Sequence, residues 1–215
     1  SNPSPSATVA LLRGINNVGS KRVTMGALKS AFEAMGFTKV RTVLASGNVI
    51  FEAPRRGPDP GRTIARGLEK SLGFPVTVLV RTARELKAIV RSDPFKAGLS
   101  GSNVQLYVTF LDAKGQPGSR VWLPPPPKGV KILRVDPGEI YSMVDLSRGG
   151  RTPDLMRFFD RTIGPVGTTR NWRTVVKLVG VGHEPGFDPH HEARGKERLG
   201  QDIRTGRRKP WVPKS

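Results

Sequence analysis

Between Ala7 and Arg81 the apolar residues alternate between a period of two and a helical period, and the order of those changes restricts the fold more than any other feature. Ala7 to Arg13 is a short apolar run entering a glycine-containing loop, as a buried strand does. Thr24 is placed to cap a helix carrying Met25, Leu28, Phe32 and Met35 at helical spacing, and Gly36 ends it. Val40, Thr42 and Leu44 then alternate with Arg41, Val43 and Ala45, Ser46-Gly47 turns, and Asn48 to Glu52 returns. Ile64, Leu68 and Leu72 mark a second helix closed by Gly73, and Val76 to Arg81 is a further strand. The order β-α-β-β-α-β is that of the ferredoxin-like, split β-α-β unit.

After a capping box at Thr82-Ala83-Arg84-Glu85, which opens a helix holding Leu86, Ile89 and Val90, the pattern begins again. Asn103 to Leu111 reads as a strand with Val104, Leu106, Val108 and Phe110 on one face. A Gly- and Pro-rich loop ending in Pro124 to Pro127 takes the place of a helix. Val130 to Val135 and Glu139 to Asp145 form a hairpin around Asp136-Pro137-Gly138. Thr152-Pro153-Asp154 offers a cap, an N1 proline and an acid for a helix with Leu155, Met156, Phe158 and Phe159. Thr169 or Asn171 caps a last helix carrying Trp172, Val175, Val176 and Val179. The expected fold is α+β, two ferredoxin-like halves in tandem with a polar C-terminal extension. The divisions are an N-terminal extension 1–6, a first unit 7–82, a connecting helix and second unit 83–180, and a basic tail 181–215. Phe187 and Trp211 are the tail's candidate anchors on the body or on a second subunit.

Composition narrows the function classes. Lys and Arg number 36 against 17 Asp and Glu, a formal +19. Residues 1–182 alone hold 28 basic and 12 acidic residues, so +16 lies outside the tail. Such self-repulsion points to an anionic partner: nucleic acid, a phosphorylated small molecule or an acidic surface. A chain without cysteine has no disulfide scaffold, zinc–thiolate site or thiol nucleophile. No apolar run reaches membrane-spanning length, and Ser1 to Ser6 lacks the apolar core of a signal peptide, so a cytoplasmic location is expected.

The loop Arg13 to Arg22 leads from a strand to a helix start, where free N–H groups and the positive dipole end favour anions. It has neither the P-loop nor the dinucleotide glycine spacing. In the split β-α-β topology the third strand lies beside the first, which brings Ser46 and Asn48 to Arg13 and Asn16. Thr168-Thr169-Arg170-Asn171-Trp172 is a second candidate, with a guanidinium for anions and an indole for stacking. The expected anion-binding residues are Arg13, Asn16, Lys21, Arg22, Ser46, Asn48, Arg170 and Asn171, with Trp172 and Tyr107 for stacking. The alternative is that these side chains satisfy local backbone and Trp172 is core. Ser147 to Thr152 is a third basic, Gly-rich loop, weakened as a cradle by Pro153. The acids and histidines at 183–192 read as a solvated loop, so no metal and no cofactor are expected.

Val9 to Gly19, Val40-Arg41-Thr42, Ser46 to Phe51 and Thr168 to Val175, in this order, closely resemble the bacterial family called domain of unknown function 1697. The resemblance spans about residues 7–180 and implies two ferredoxin-like halves; it implies no established activity. Gly149-Gly150-Arg151-Thr152-Pro153 departs from the family's pattern, which has a Ser-Lys pair near this point, and puts an anion role for that loop in doubt. The leading expectation is a protein that binds a phosphorylated ligand, nucleic acid first. An enzyme on a small phosphorylated or carboxylated substrate, with Arg13, Ser46, Asn48 and Arg170 in one cleft, is the second. A homo-oligomeric interaction protein, a homodimer with a clasping tail, is the third.

Overall fold

Eight strands and five helices occupy the described residues of the computed structural model, which are 7–15, 23–44, 47–54, 59–96, 103–112, 123–147, 154–165 and 167–181. All fall within one compact unit, Ser1–Gly182. The tail's expected anchors Phe187 and Trp211, and the residues 183–192, lie outside the described residues.

The first sheet takes β1 (Thr8–Leu12), β2 (Thr38–Val43), β3 (Asn48–Glu52) and β4 (Val78–Thr82) in the order β2-β3-β1-β4, every pairing antiparallel. The second takes β5 (Val104–Leu111), β6 (Val130–Val135), β7 (Glu139–Asp145) and β8 (Gly167–Asn171) in the order β6-β7-β5-β8, again antiparallel. The registers also correspond. Leu11 lies opposite Asn48 and Leu12 opposite Val78; Phe110 lies opposite Glu139 and Leu111 opposite Gly167.

The helices start where local chemistry satisfies their first amides. Thr24 accepts from the Ala27 N–H at the head of α1 (Met25–Ala34). Asp59 accepts from Gly61 at the head of α2 (Pro60–Leu72), which has proline at its first position and left-handed Gly73 at its end. The Thr82–Glu85 capping box opens α3 (Ala83–Arg91) as the spacing predicts. At α4 (Leu155–Ile163) the expected cap shifts: Asp154 itself, extended and accepting from the Arg157 N–H, is the cap. Asn171 Oδ1 accepts from the Arg173 N–H at the start of α5 (Trp172–Val181).

Alternation along the strands sorts the core into layers. Ala10, Leu12, Val49 and Phe51 point to α1 and α2, where they meet Leu28, Phe32, Ile64 and Leu68. Leu111, Ile140 and Val144 point to α4, where they meet Leu155 and Phe159. The intervening positions, Val9, Leu11, Ile50 and Leu79 of the first sheet and Val108, Phe110 and Tyr141 of the second, are also buried. Of the face expected for β5, Val108 and Phe110 are buried and Val104 and Leu106 half-buried; on the other face Thr109 and Leu111 are buried and Tyr107 half-buried. One expectation fails in β2. A register shift between Thr38 and Arg41, with Lys39 at φ 50°, leaves Val40 and Val43 as the buried pair. Leu44 leaves the strand in a left-handed turn and is exposed.

Candidate functional site

The two sheets are joined by two arginines, one from the last strand of each. Arg81 of β4 lies opposite Val9, and Arg170 of β8 opposite Val108, so both point between the sheets. Arg81 Nη2 donates to the carbonyls of Leu111, at 2.7 Å, and Gly138, at 3.1 Å. Arg170 Nη2 donates to the carbonyls of Leu12, at 2.7 Å, and Gly47, at 3.5 Å. Arg81 Nη1 reaches the Val80 carbonyl and Arg170 Nη1 the Thr169 carbonyl. Even the turns they clamp match, with Leu12 N–H bonded to Gly47 O and Leu111 N–H to Gly138 O, both at 2.8 Å. Gly47 permits this approach: at φ 75°, a Cβ there would stand 3.1 Å from Leu12 Cβ and 3.2 Å from Leu12 O.

The two clamps differ in charge. Arg81 Nε donates to Glu139 Oε1 at 3.0 Å, an ion pair largely shielded from water. The corresponding acceptor for Arg170 Nε is Asn48 Oδ1, at 2.7 Å. Arg170 Nη1 also donates to Thr168 Oγ1 at 2.8 Å. Among the described residues the guanidinium, 7% exposed, therefore directs its donors at neutral oxygens alone. Burial lowers its pKa to about 10, which still leaves it protonated at neutral pH. A buried positive charge without a counter-ion is costly, and hydrogen bonds to neutral acceptors offset only part of the penalty.

Beside Arg170 lies a cavity of about 270 Å³, lined by Leu12, Gly14, Ile15, Met156, Thr168, Thr169, Arg170, Asn171 and Thr174. It extends from β8, the last strand in the order of the second sheet, to the first turn of α5, which contains no acidic residue. The positive end of the helix dipole adds to the potential of Arg170 there.

The expected residues fall as follows. Arg13 forms a two-pronged ion pair with Asp160 of α4 and donates to the Gly167 carbonyl. Asn48 is fully buried, with its Nδ2 on the Val43 carbonyl and its Oδ1 under Arg170, so it supports the arginine and does not line the cavity. Arg170 and Asn171 do line it. Trp172 packs edge-on against Phe95, with ring centres 5.0 Å apart. Tyr107 bonds Gln105 and Asn171, and burial raises its pKa. Asn16, Lys21, Arg22 and Ser46 lie outside the described residues. Arg81, Glu139, Asp160 and Thr174 were not singled out from sequence. The repeated Arg-x-x-Arg of Arg81–Arg84 and Arg170–Arg173, each at a strand-to-helix junction, is the signal for Arg81 and, by position, Thr174; Glu139 and Asp160 have none. Among the described residues no helix is long and apolar enough to cross a membrane, and no cluster of acids and histidines could hold a metal ion.

The family model described as "Protein of unknown function (DUF1697)" matches residues 6–141. In structure the chain is similar to the conserved bacterial protein SP0830 from Streptococcus pneumoniae, with a TM-score of 0.57 and 16% identity, over 83% of this chain and 99% of that one. A comparison with curated proteins gave no match.

Proposed function

We propose that this chain, which belongs to the DUF1697 family, binds a small anion in the cavity between β1, β8 and the start of α5. One observation carries the reading: Arg170 lines that cavity with a buried charge whose hydrogen-bond partners are all neutral. A bound anion supplies the missing counter-charge through the field, since the five guanidinium N–H groups are already engaged. Thr174 and Asn171, in or next to the first turn of α5, are the groups nearest to offer direct hydrogen bonds. Arg13 and Asn48 act behind the site, fixing the ends of β1 and β3 against the second sheet.

The scaffold for this site is read as two ferredoxin-like units, 7–82 and 83–180. What supports it is the common strand order and register of the two sheets.

Binding selective for the folded chain raises its melting point, by about 2.7 kcal/mol of stability at a ligand concentration 100 times the dissociation constant. For a chain of this size that is roughly 5–11 °C. Thermal melts in phosphate, acetate and longer carboxylates, against chloride at equal ionic strength, test the proposal. A selective rise accompanied by amide shifts at residues 12–15 and 168–174 supports it. No selective rise for any anion of the panel overturns it.

Nucleic acid remains a second reading because Arg62, Arg66 and Lys70 form an exposed stripe, four residues apart, along α2. That stripe is a separate surface. Oligonucleotide affinity falling steeply with salt, and lost on converting the three residues to glutamate, would support this reading. A flat salt response would remove it.

A further inference from the structure

We infer that the anionic group taken by this cavity is a carboxylate, seated over the first turn of α5 where the first half of the chain places its own Glu85. The inference rests on the anion-binding reading above and adds the ligand's chemistry to it.

The argument is an internal comparison. The registers equate Leu12 with Leu111, Gly47 with Gly138, Asn48 with Glu139 and Arg81 with Arg170. Both arginines are followed at once by a capping residue and a helix. Counting on, Thr82 corresponds to Asn171, Arg84 to Arg173, and Glu85 to Thr174. Leu86 and Val175, the next pair, are both fully buried, so the two helices also present the same face.

In the first half, Glu85 Oε2 accepts from the Thr82 N–H at 2.6 Å and from the Thr82 hydroxyl at 2.8 Å. A carboxylate thus closes the start of α3. In the second half the same position is Thr174, whose side chain ends at the hydroxyl, and the cavity opens there. The Arg81 end has two acids, Glu85 from its own half and Glu139 from the other; the Arg170 end has Thr174 from its own half and Asn48 from the other. Asn48 occupies the Nε side of the arginine, and the cavity that Arg170 shares with Thr174 leaves room for a compensating charge.

Three features favour a carboxylate over a phosphate. The group absent from position 174 is itself a carboxylate. One uncompensated cation matches one negative charge. The guanidinium has no free fork for several tetrahedral oxygens. Leu12, Ile15 and Met156 give the rest of the cavity an apolar wall. The ligand class is therefore a short aliphatic monocarboxylate.

The test is a heteronuclear NMR titration of the full chain with acetate, butyrate, hexanoate and inorganic phosphate at matched ionic strength. The carboxylates should shift residues 168–174, tighten with chain length, and bind at least tenfold better than phosphate. The variant Thr174→Glu should supply the carboxylate from the chain, melt no lower than the parent, and lose carboxylate binding at least tenfold. Phosphate binding as tightly as the carboxylates overturns the inference while leaving an anion site. Undiminished carboxylate binding by Thr174→Glu also overturns it. If no anion moves these residues, the anion-binding reading falls as well. The titration of the parent chain decides the anion class whether or not the variant folds.

Discussion

Replacing Arg170 by methionine keeps much of the side chain's apolar length and removes its charge and donors. Asn48 Oδ1, Thr168 Oγ1 and the carbonyls of Leu12 and Thr169 then lose a buried donor, while the Gly47 carbonyl, which also loses one, keeps the Leu12 N–H. Orphaned buried acceptors cost about 1–3 kcal/mol each, so four at the low end come to roughly 4 kcal/mol. Relief of the uncompensated buried charge works the other way, and the net loss expected is about 2–4 kcal/mol. Arg81→Met has no such relief, because it strands the Glu139 carboxylate, and its expected loss is about 3–5 kcal/mol. For a chain of this length these losses correspond to drops of roughly 4–16 °C and 6–20 °C in melting temperature. Urea unfolding followed by circular dichroism measures both, with an unchanged m-value confirming that stability alone has moved. A loss below about 1 kcal/mol for Arg170→Met, or one larger than that of Arg81→Met, refutes the reasoning. The first result would deny the clamp, and the second would deny the charge asymmetry.

Three further outcomes are expected. The chain has two tyrosines, Tyr107 and Tyr141, and burial raises the pKa of both above 10. Their folded forms hold protons that the unfolded chain releases, so their contribution to stability is intact below pH 10 and falls as pH rises beyond it. Ultraviolet titration at 295 nm should show no phenolate step near pH 10 in the folded chain; a full two-tyrosine step there would contradict the burial. Gly47→Ala forces a side chain into left-handed backbone and against Leu12, costing about 1–2 kcal/mol in urea unfolding and weakening anion affinity. Full stability would show that the approach of Gly47 to Leu12 is loose. Glu85→Thr removes half of the α3 capping box and should cost about 1 kcal/mol without altering anion binding, since Glu85 lies at the other clamp. An equal effect on binding would deny that the two ends are separate.

Local chemistry made much of the fold legible in the sequence. Thr24, the Thr82–Glu85 box and Gly73 are side-chain and backbone decisions taken within a single turn, and the structure keeps them. Asp154 displaced the expected cap because its carboxylate reaches the Arg157 N–H, a choice between neighbours that spacing alone does not make. The alternation expected for β2 fails because a bulge near Lys39 makes Val40 and Val43 the inward pair and the strand ends before Leu44, which takes a left-handed turn. Strand order brings Asn48 toward Arg13, but it says nothing of Arg170 or of who bonds to whom. Arg13 meets Asp160 across 147 positions of sequence, and Arg170 meets Asn48 across 122. No periodicity encodes such pairs. Thr174 matters only by comparison with Glu85, and that comparison needs the registers of both sheets.

The side-chain Nε–H resonances of Arg170 and Arg81 offer the most direct test, because both groups are shielded from water and hydrogen-bonded. On titration with a small carboxylate the Arg170 signal should move saturably while the Arg81 signal, already paired with Glu139, stays in place. An Arg170 signal that never moves, or two signals that drift together without saturation, would contradict a site built on that one uncompensated charge.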